Sequence, residues 1–142
     1  MLGIDGKEKM SKSLNNHIEL AATPQETTQR VMEMVTDPAR IRRSDPGNPD
    51  VCNVFSMHKV FSSPEEVAMV NIECRRAGIG CVDCKKIFAK NLNARLEPFR
   101  GRRAELSKDP NYVTDVLDNG ARRARAIAEK TMAEVHQAVG LP

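Results

Sequence analysis

The sequence predicts an all-α fold, and three observations support this. Apolar side chains recur at spacings of three and four residues in successive segments, and no segment shows the alternation of a β-strand. Aromatic residues make up only 4% of the chain, so its core must consist mainly of Leu, Ile, Val, Met and Ala, a mixture that favours helices over a sheet. Hydrophobic residues make up 40% of 142, which suits one folded domain of ordinary size.

The first helix is predicted to begin at Pro24. Thr23 can serve as its N-cap, and Glu26 three residues later completes a capping box. Pro38 closes this segment. The stretch 37–50 contains three Pro and one Gly, which predicts an ordered loop.

Two short helices are predicted next. The first covers 51–61 and has inward-facing side chains at Val54, Phe55 and Val60. The second begins at Ser63, whose capping box is completed by Glu66, and ends at Gly78. Its inner side should carry Val67, Val70 and Cys74.

The last third of the chain is predicted to contain long helices. One covers about 82–106 with Ile87, Leu92 and Leu96 on its apolar side, and Pro98 should kink or end it. Another starts at Asp109–Pro110. Asn119 is predicted to cap a separate final helix that stops at Gly140. The apolar stripe of this final helix consists of Ala124, Ile127, Ala128, Thr131, Val135 and Val139.

Composition excludes some classes of protein and leaves the partner open. No run approaches the roughly 20 apolar residues of a membrane span, and the first residues are polar and charged, so neither a membrane protein nor a signal peptide is expected. Four Cys are expected as cytosolic thiols or metal ligands rather than disulfides, which predicts a cytoplasmic location. The net charge of +3 is too small to indicate a nucleic-acid partner by itself.

The basic residues are grouped in bursts. Several bursts on one face would attract phosphates, whereas bursts paired with nearby Glu and Asp would only form solvated helix faces. The bursts are Arg40, Arg42 and Arg43; Arg75 and Arg76; Lys85 and Lys86; Arg100, Arg102 and Arg103; Arg122, Arg123 and Arg125.

The stretch Lys9-Met10-Ser11-Lys12-Ser13 carries the clearest chemical signal. Two lysines three residues apart, on a loop preceded by Gly, form a mobile cationic flap, and the serine hydroxyls add donors for phosphate oxygens. Such a flap can stabilise the charge that develops on departing pyrophosphate. The alternative is a solvated linker, but this pentapeptide would occur by chance in about one chain of this length in ten thousand.

KMSKS is the second signature sequence of class I aminoacyl-tRNA synthetases, and residues 9–13 resemble it without departure. The following segments, in this order, resemble bacterial-type tryptophanyl-tRNA synthetases over essentially the whole chain, while tyrosyl-type enzymes share the loop and are the nearest alternative. The segments are VTDPARIRRSDPGNPDVCNVF, AGIGCVDCKK, LEPFRGRR and GARRARAIAEKTMAEVHQAVGL.

The resemblance implies a fold, a reaction and partners. Residues 1–22 would end a nucleotide-binding catalytic domain, and 23–142 would form the helical anticodon-binding domain. The complete enzyme would activate tryptophan with ATP and Mg²⁺, charge tRNA(Trp) and form a homodimer. Residues Lys9, Met10, Ser11, Lys12 and Ser13 would bind ATP, with Lys9 and Lys12 as the catalytic pair.

The chain is expected to be inactive by itself. The family also needs a His-Ile-Gly-His motif, and the three histidines here, at positions 17, 58 and 136, are isolated. Each histidine is predicted to be a surface or core residue rather than a catalyst.

Four cysteines suggest a metal site. Cys52, Cys74, Cys81 and Cys84 are separated by 21, 6 and 2 residues, and the last two form a Cys-x-x-Cys chelating pair. Four thiolates suit a [4Fe–4S] cluster or Zn²⁺, and buried metal-free thiols are the alternative. Some tryptophanyl enzymes carry an iron–sulfur cluster on cysteines with nearly this spacing, so the resemblance favours the cluster over zinc.

Basic residues flank these cysteines. Arg75, Arg76, Lys85 and Lys86 are predicted to contact the RNA of the anticodon loop. Two other classes of protein remain as alternatives: a stand-alone helical RNA-binding module, and a structural protein that depends on a metal.

Overall fold

The protein is helical, as predicted. The computed structural model describes residues 1–140, and within them it has five α-helices, one short 3-10 helix and no β-strand. The elements are α1 (Pro24–Glu33), the 3-10 helix (Pro49–Val51), α2 (Asn53–Phe61), α3 (Pro64–Arg75), α4 (Cys81–Leu106) and α5 (Pro110–Val139).

Both predicted capping boxes are present. The Thr23 hydroxyl accepts a hydrogen bond from the Glu26 amide at 3.2 Å, and the Glu26 carboxylate accepts one from the Thr23 amide at 2.7 Å. Ser63 and Glu66 form the same pair of bonds at the start of α3. These bonds satisfy amide groups that have no partner inside the first turn of a helix.

The core of the first hundred residues lies among α1–α4. Phe88 of α4 is fully buried, and its ring lies 5.4 Å from that of His58 and 6.1 Å from that of Phe61. Val54 and Phe55 are buried, as predicted, but Val60 is 61% exposed. The inward face of α2 passes through Met57 and His58 instead, since these residues follow Val54 at the helical spacing of three and four.

Helix α4 covers the stretch predicted for it, and α5 is more continuous than predicted. Pro98 does not end α4, which continues to Leu106. Leu92 and Leu96 are buried before the proline, and beyond it Arg100 donates a hydrogen bond to the Thr27 hydroxyl at 2.8 Å, so tertiary contacts hold this part of the helix. The predicted break at Asn119 is wrong, because the cost of about 1 kcal/mol for Gly120 is small beside the bonding of a 30-residue helix.

The chain divides into two compact units, Met1–Arg100 and Gly101–Pro142. The domain boundary expected between 22 and 23 stays a prediction. Ile4 belongs to the core of the first unit, and the Val35 amide donates to its carbonyl at 2.9 Å. In the second unit, α5 begins at its N-cap Asp109, contains no buried residue and ends at Gly140 in the left-handed conformation.

The helices described within residues 1–140 include none with the length and apolar character needed to cross a membrane.

Candidate functional site

The signature loop is closed at its base by backbone bonds. Leu2 and Lys9 form an isolated antiparallel bridge, the Gly3 amide donates to the Glu8 carbonyl at 2.8 Å, and the Met10 amide donates to the Met1 carbonyl at 3.3 Å. Gly6 has a φ of 67°, a conformation that side chains disfavour. The loop therefore has a defined turn that presents residues 9–13.

Lys9 and Lys12 both have exposed side chains. Neither forms an ion pair with a carboxylate of residues 1–140. The hydroxyl oxygens of Ser11 and Ser13 lie 2.9 Å apart on the same loop. Two ammonium groups and two hydroxyls are thus available to an anion such as a polyphosphate.

Asn16 lies behind this loop and was not identified from the sequence. Its side chain oxygen accepts from the Ser11 amide at 2.7 Å, and its Nδ2 donates to Asp5 Oδ2 at 2.8 Å and to the Lys9 carbonyl at 3.3 Å. It is 3% exposed. No sequence pattern distinguishes Asn16 from the exposed Asn15 beside it.

Helices α1 and α2 hold the base of the loop. Asn53, the first residue of α2, donates from Nδ2 to the Gly3 carbonyl at 2.7 Å. Arg30 of α1 donates to the carbonyls of Asn15 and His17. The loop and the helical body are therefore joined by side-chain bonds across 13 to 50 residues of sequence.

The structure brings the four cysteines into one neighbourhood. Cys52 is the N-cap of α2, Cys74 lies in the last turn of α3, and Cys81 and Cys84 lie in the first turn of α4. Arg40 Nη1 lies 3.9 Å from the Cys74 sulfur and 3.8 Å from the Cys81 sulfur. Its Nη2 donates to the carbonyls of Arg43 at 2.7 Å and Ile79 at 2.9 Å.

Burial dominates the electrostatics of these thiols. It raises the pKa of Cys52 and of Cys74, and it raises the pKa of Cys84 to about 12, with smaller contributions from the other three thiols. Within residues 1–140, no three potential ligands are arranged closely enough to hold a metal ion. The four thiols have the chemistry of metal ligands, but in this structure they are not arranged as a ligand set.

Each of the four predicted RNA-binding residues has a partner within the chain. Arg75 pairs with Asp50 at 2.6 Å, and Arg76 pairs with Glu73. Lys86 lies 4.0 Å from Asp83. Lys85 donates to the Met32 carbonyl at 2.8 Å, close to the end of α1.

A different basic group, Arg42 and Arg43, faces a cavity of ≈ 340 Å³ beside Cys81. Neither guanidinium is in an ion pair with a carboxylate of residues 1–140. The sequence indicates this burst, but it does not show that the loop carrying it packs next to the cysteines. The other residues that line the cavity are Thr36, Arg40, Ile41, Gly80, Val82 and Asp83.

The described histidines show no catalytic arrangement. His58 is buried and fully bonded, with Nδ1 2.8 Å from the Ser62 hydroxyl and Nε2 3.3 Å from the Cys84 carbonyl. Burial lowers the pKa of His58, so the neutral ring is favoured. His17 lies beside Glu19 at 3.4 Å.

Comparison with protein families places the chain. The model of the family described as "tRNA synthetases class I (W and Y)" matches residues 1–97, which include the signature loop, α1–α3 and most of α4. The chain belongs to this family. The matched region also contains all four cysteines and the Arg42–Arg43 cavity.

Curated relatives agree with this membership. A tryptophan–tRNA ligase of Deinococcus radiodurans is 48% identical over 138 residues, 97% of this chain and 42% of that protein. One from Thermotoga maritima is 47% identical over 140 residues, again 42% of its length. The chain thus spans less than half the length of these relatives.

The fold is shared with a solved synthetase. Tryptophanyl-tRNA synthetase from Campylobacter jejuni, in complex with ADP and tryptophan, aligns with a TM-score of 0.85 at 29% identity. The alignment covers 98% of this chain and 43% of that one. The all-α arrangement described here is therefore an arrangement found in this enzyme family.

Proposed function

We propose that this chain is the C-terminal part of a tryptophan–tRNA ligase, and that it supplies the phosphate-binding loop and the anticodon-binding surface. The observation that carries the proposal is the signature loop, where Lys9 and Lys12 project two exposed ammonium groups from a turn fixed by Asn16. The names of the relatives favour tryptophan over tyrosine as the amino acid.

The loop would act in formation of the aminoacyl adenylate. A carboxylate oxygen of tryptophan attacks the α-phosphorus of ATP, the bond from that phosphorus to the bridging oxygen breaks, and pyrophosphate leaves with the bonding electrons. ATP enters with Mg²⁺, which neutralises part of the phosphate charge. Lys9 and Lys12 stabilise the remaining charge, and the gain is largest in the transition state, where that charge is growing.

The anticodon of tRNA(Trp) would bind near the cysteines. Besides the flanking residues Arg75, Arg76, Lys85 and Lys86, the cavity beside Arg42 and Arg43 supports this assignment, since it offers unpaired guanidinium groups for phosphate contacts and base stacking. A stand-alone helical RNA-binding module would need this surface but not Lys12.

The cysteines Cys52, Cys74, Cys81 and Cys84 would hold a [4Fe–4S] cluster, with Zn²⁺ as the second candidate. The proposal is supported by the family resemblance and by the placement of these cysteines at the ends of three helices, where the other three thiols contribute to raising the pKa of Cys84. A cluster there would act by joining the starts of α2 and α4 to the end of α3, without taking part in the reaction. A cytoplasmic homodimer is proposed for the complete enzyme on the family resemblance alone.

The decisive experiment is the substitution Lys12→Ala in the full-length protein that contains this chain. Loss of one such contact costs about 3 kcal/mol of transition-state stabilisation, so kcat for tryptophan-dependent ATP–pyrophosphate exchange should fall about 100-fold. The KM for tryptophan should stay unchanged. Lys7→Ala is the matched control, because Lys7 is an exposed lysine of the same turn outside the KMSKS sequence.

An unchanged exchange rate in Lys12→Ala would refute the role of the loop. If Lys7→Ala and Lys12→Ala slowed exchange equally, the effect would come from general charge, and the assignment of the signature lysines would be wrong.

A further inference from the structure

Asn16 differs from the other polar residues of the signature loop in being buried. It is 3% exposed, whereas the lysines and Ser13 of the turn are exposed and Ser11 is partly exposed. All three hydrogen bonds of its carboxamide go to residues of this turn, and they reach 5, 7 and 11 residues back in sequence. Bonds of that reach do not belong to a local Asx turn, which spans about two residues.

These bonds fix the backbone on both sides of Met10. The Lys9 carbonyl and the Ser11 amide are both held by one planar side chain, at 3.3 and 2.7 Å. The Lys12 carbonyl accepts from the neighbouring Asn15 amide at 3.0 Å. Asn16 bonds to the carbonyl of Lys9 and to the amide of Ser11, the residue before Lys12. It therefore fixes the backbone positions from which both lysine side chains extend.

The same residue connects the turn to the helices. Its carbonyl accepts from the Ile4 amide at 2.8 Å, and Gly3 packs so closely on its side chain that a Cβ at position 3 would overlap the carboxamide. The Gly3 carbonyl in turn accepts from Asn53 of α2. An unbroken set of contacts thus leads from the start of α2 to the backbone of Lys9 and Ser11.

We propose that Asn16 is a positioning residue for the phosphate-binding lysines, held in place by Gly3 and Asn53. The inference rests on the function proposed above and names a residue that touches no substrate. It acts by holding the backbone on both sides of Met10 in one geometry, so that the two lysine side chains extend from a defined base.

The geometry allows a reciprocal test with Asp5. Asp5 uses Oδ1 for the amides of Lys7 and Glu8 and Oδ2 for Asn16. The double variant Asp5→Asn with Asn16→Asp exchanges the two side chains. It keeps the bonds from the Lys7 and Glu8 amides to Oδ1 at position 5, and the bond from the Ser11 amide to position 16. Between the two side chains, position 5 now donates and position 16 accepts. In Asn16→Asp alone, two carboxylates face each other across the 2.8 Å that separates the Asn16 nitrogen from Asp5 Oδ2 in the wild type.

The measurement is the burst of adenylate formation in a single turnover of the full-length protein. We expect Asn16→Ala and Asn16→Asp to slow the burst about 100-fold, the size of effect that misplacement by about 1 Å produces. The burst amplitude and the KM for tryptophan should not change. The double variant should recover about ten-fold of the rate lost in Asn16→Asp, since the bond to Asp5 is restored and only the contact with the Lys9 carbonyl stays unfavourable, with a carboxylate oxygen in place of the donor.

Asn15→Gly is the matched control. Asn15 is exposed and has a φ of 49°, which Gly adopts freely, so the adjacent carboxamide is removed while the turn is kept. Its burst should match that of the wild type.

Three results would overturn the inference: a wild-type burst rate in Asn16→Ala, a lower amplitude at an unchanged rate, or no recovery in the double variant. A lower amplitude would show that Asn16 only maintains the folded fraction. If the wild-type protein formed no adenylate, the proposed function would fail instead. Hydrogen exchange at the Ser11 amide would then test separately whether Asn16 holds the backbone of the turn, because this exchange should become faster in Asn16→Ala.

Discussion

Lys85 and Lys86 are adjacent and carry the same charge, yet their ammonium groups meet different surroundings. Lys85 is half-buried and donates to the Met32 carbonyl near the end of α1, whereas Lys86 is exposed beside Asp83. A cation that satisfies a carbonyl at a helix end contributes to the fold. Proximity to the cysteines in sequence therefore does not assign both lysines the same role.

At this scale we predict that Lys85→Glu and Lys86→Glu separate folding from RNA binding. Lys85→Glu should speed hydrogen exchange in the last turn of α1 about five-fold, as expected for a lost bond of about 1 kcal/mol. Lys86→Glu should leave that exchange unchanged. Both substitutions should raise the KM for tRNA, because each reverses a charge on the proposed anticodon surface, while adenylate formation stays intact.

Arg42→Glu in the same tRNA titration measures the contribution of the cavity beside Cys81. Equal loss of adenylate formation and tRNA charging in any of these variants would contradict the assignment of this surface to RNA.

At the scale of single residues, the sequence predicts features that depend on local chemistry, and it does not predict contacts between residues far apart in the chain. The KMSKS lysines could be proposed from the sequence because their proposed role depends on side-chain type and spacing. The tethering of Asn16 to Asp5, of Asn53 to Gly3 and of Arg40 to two cysteine sulfurs was not, since these pairs are 11, 50, and 34 or 41 residues apart. Only the folded chain brings them together.

The helices show the same distinction between their ends and their length. Thr23 and Ser63 predicted two helix starts correctly, because a capping box is formed entirely by residues four apart or closer. The predicted break between two helices at Asn119 was wrong, and Pro98 does not end α4, because local preferences of this size yield to packing or to a long run of helical bonds. Starts of helices are thus better determined by sequence than interruptions.

The capping box of α1 gives a prediction for the whole element. Thr23→Ala removes the bond to the Glu26 amide and should cost about 1 kcal/mol, so local opening of the first turn should become about five-fold more frequent. Hydrogen exchange of the amides at 25–28 reports this opening. Gln25→Ala, an exposed change in the same turn, is the control, and equal exchange in the two variants would show that the cap contributes nothing.

For the whole molecule, the cysteines provide a test that does not depend on activity. The full-length protein purified without oxygen should be brown and contain about four iron and four sulfide per chain, while the fourfold Cys→Ser variant should be colourless. One zinc per chain in a colourless protein would favour the second candidate. A chain with neither metal after reconstitution would show that the four thiols are packing residues.

Removal of the proposed metal by a chelator should affect the junction of α2, α3 and α4 first. Amides at the start of α2 and α4 should then exchange faster, with α5 as an internal reference because it contains none of the four cysteines. Uniform acceleration across the chain would instead indicate global unfolding.

The close packing of Gly3 on Asn16 limits what evolution and engineering can do with this sequence. Every other amino acid carries a Cβ, and any of them would displace the carboxamide that frames the turn. Substitutions intended to change the nucleotide preference of the loop can therefore be made at its solvent-facing residues. Position 3 has to remain Gly for a steric reason that is unrelated to the ligand.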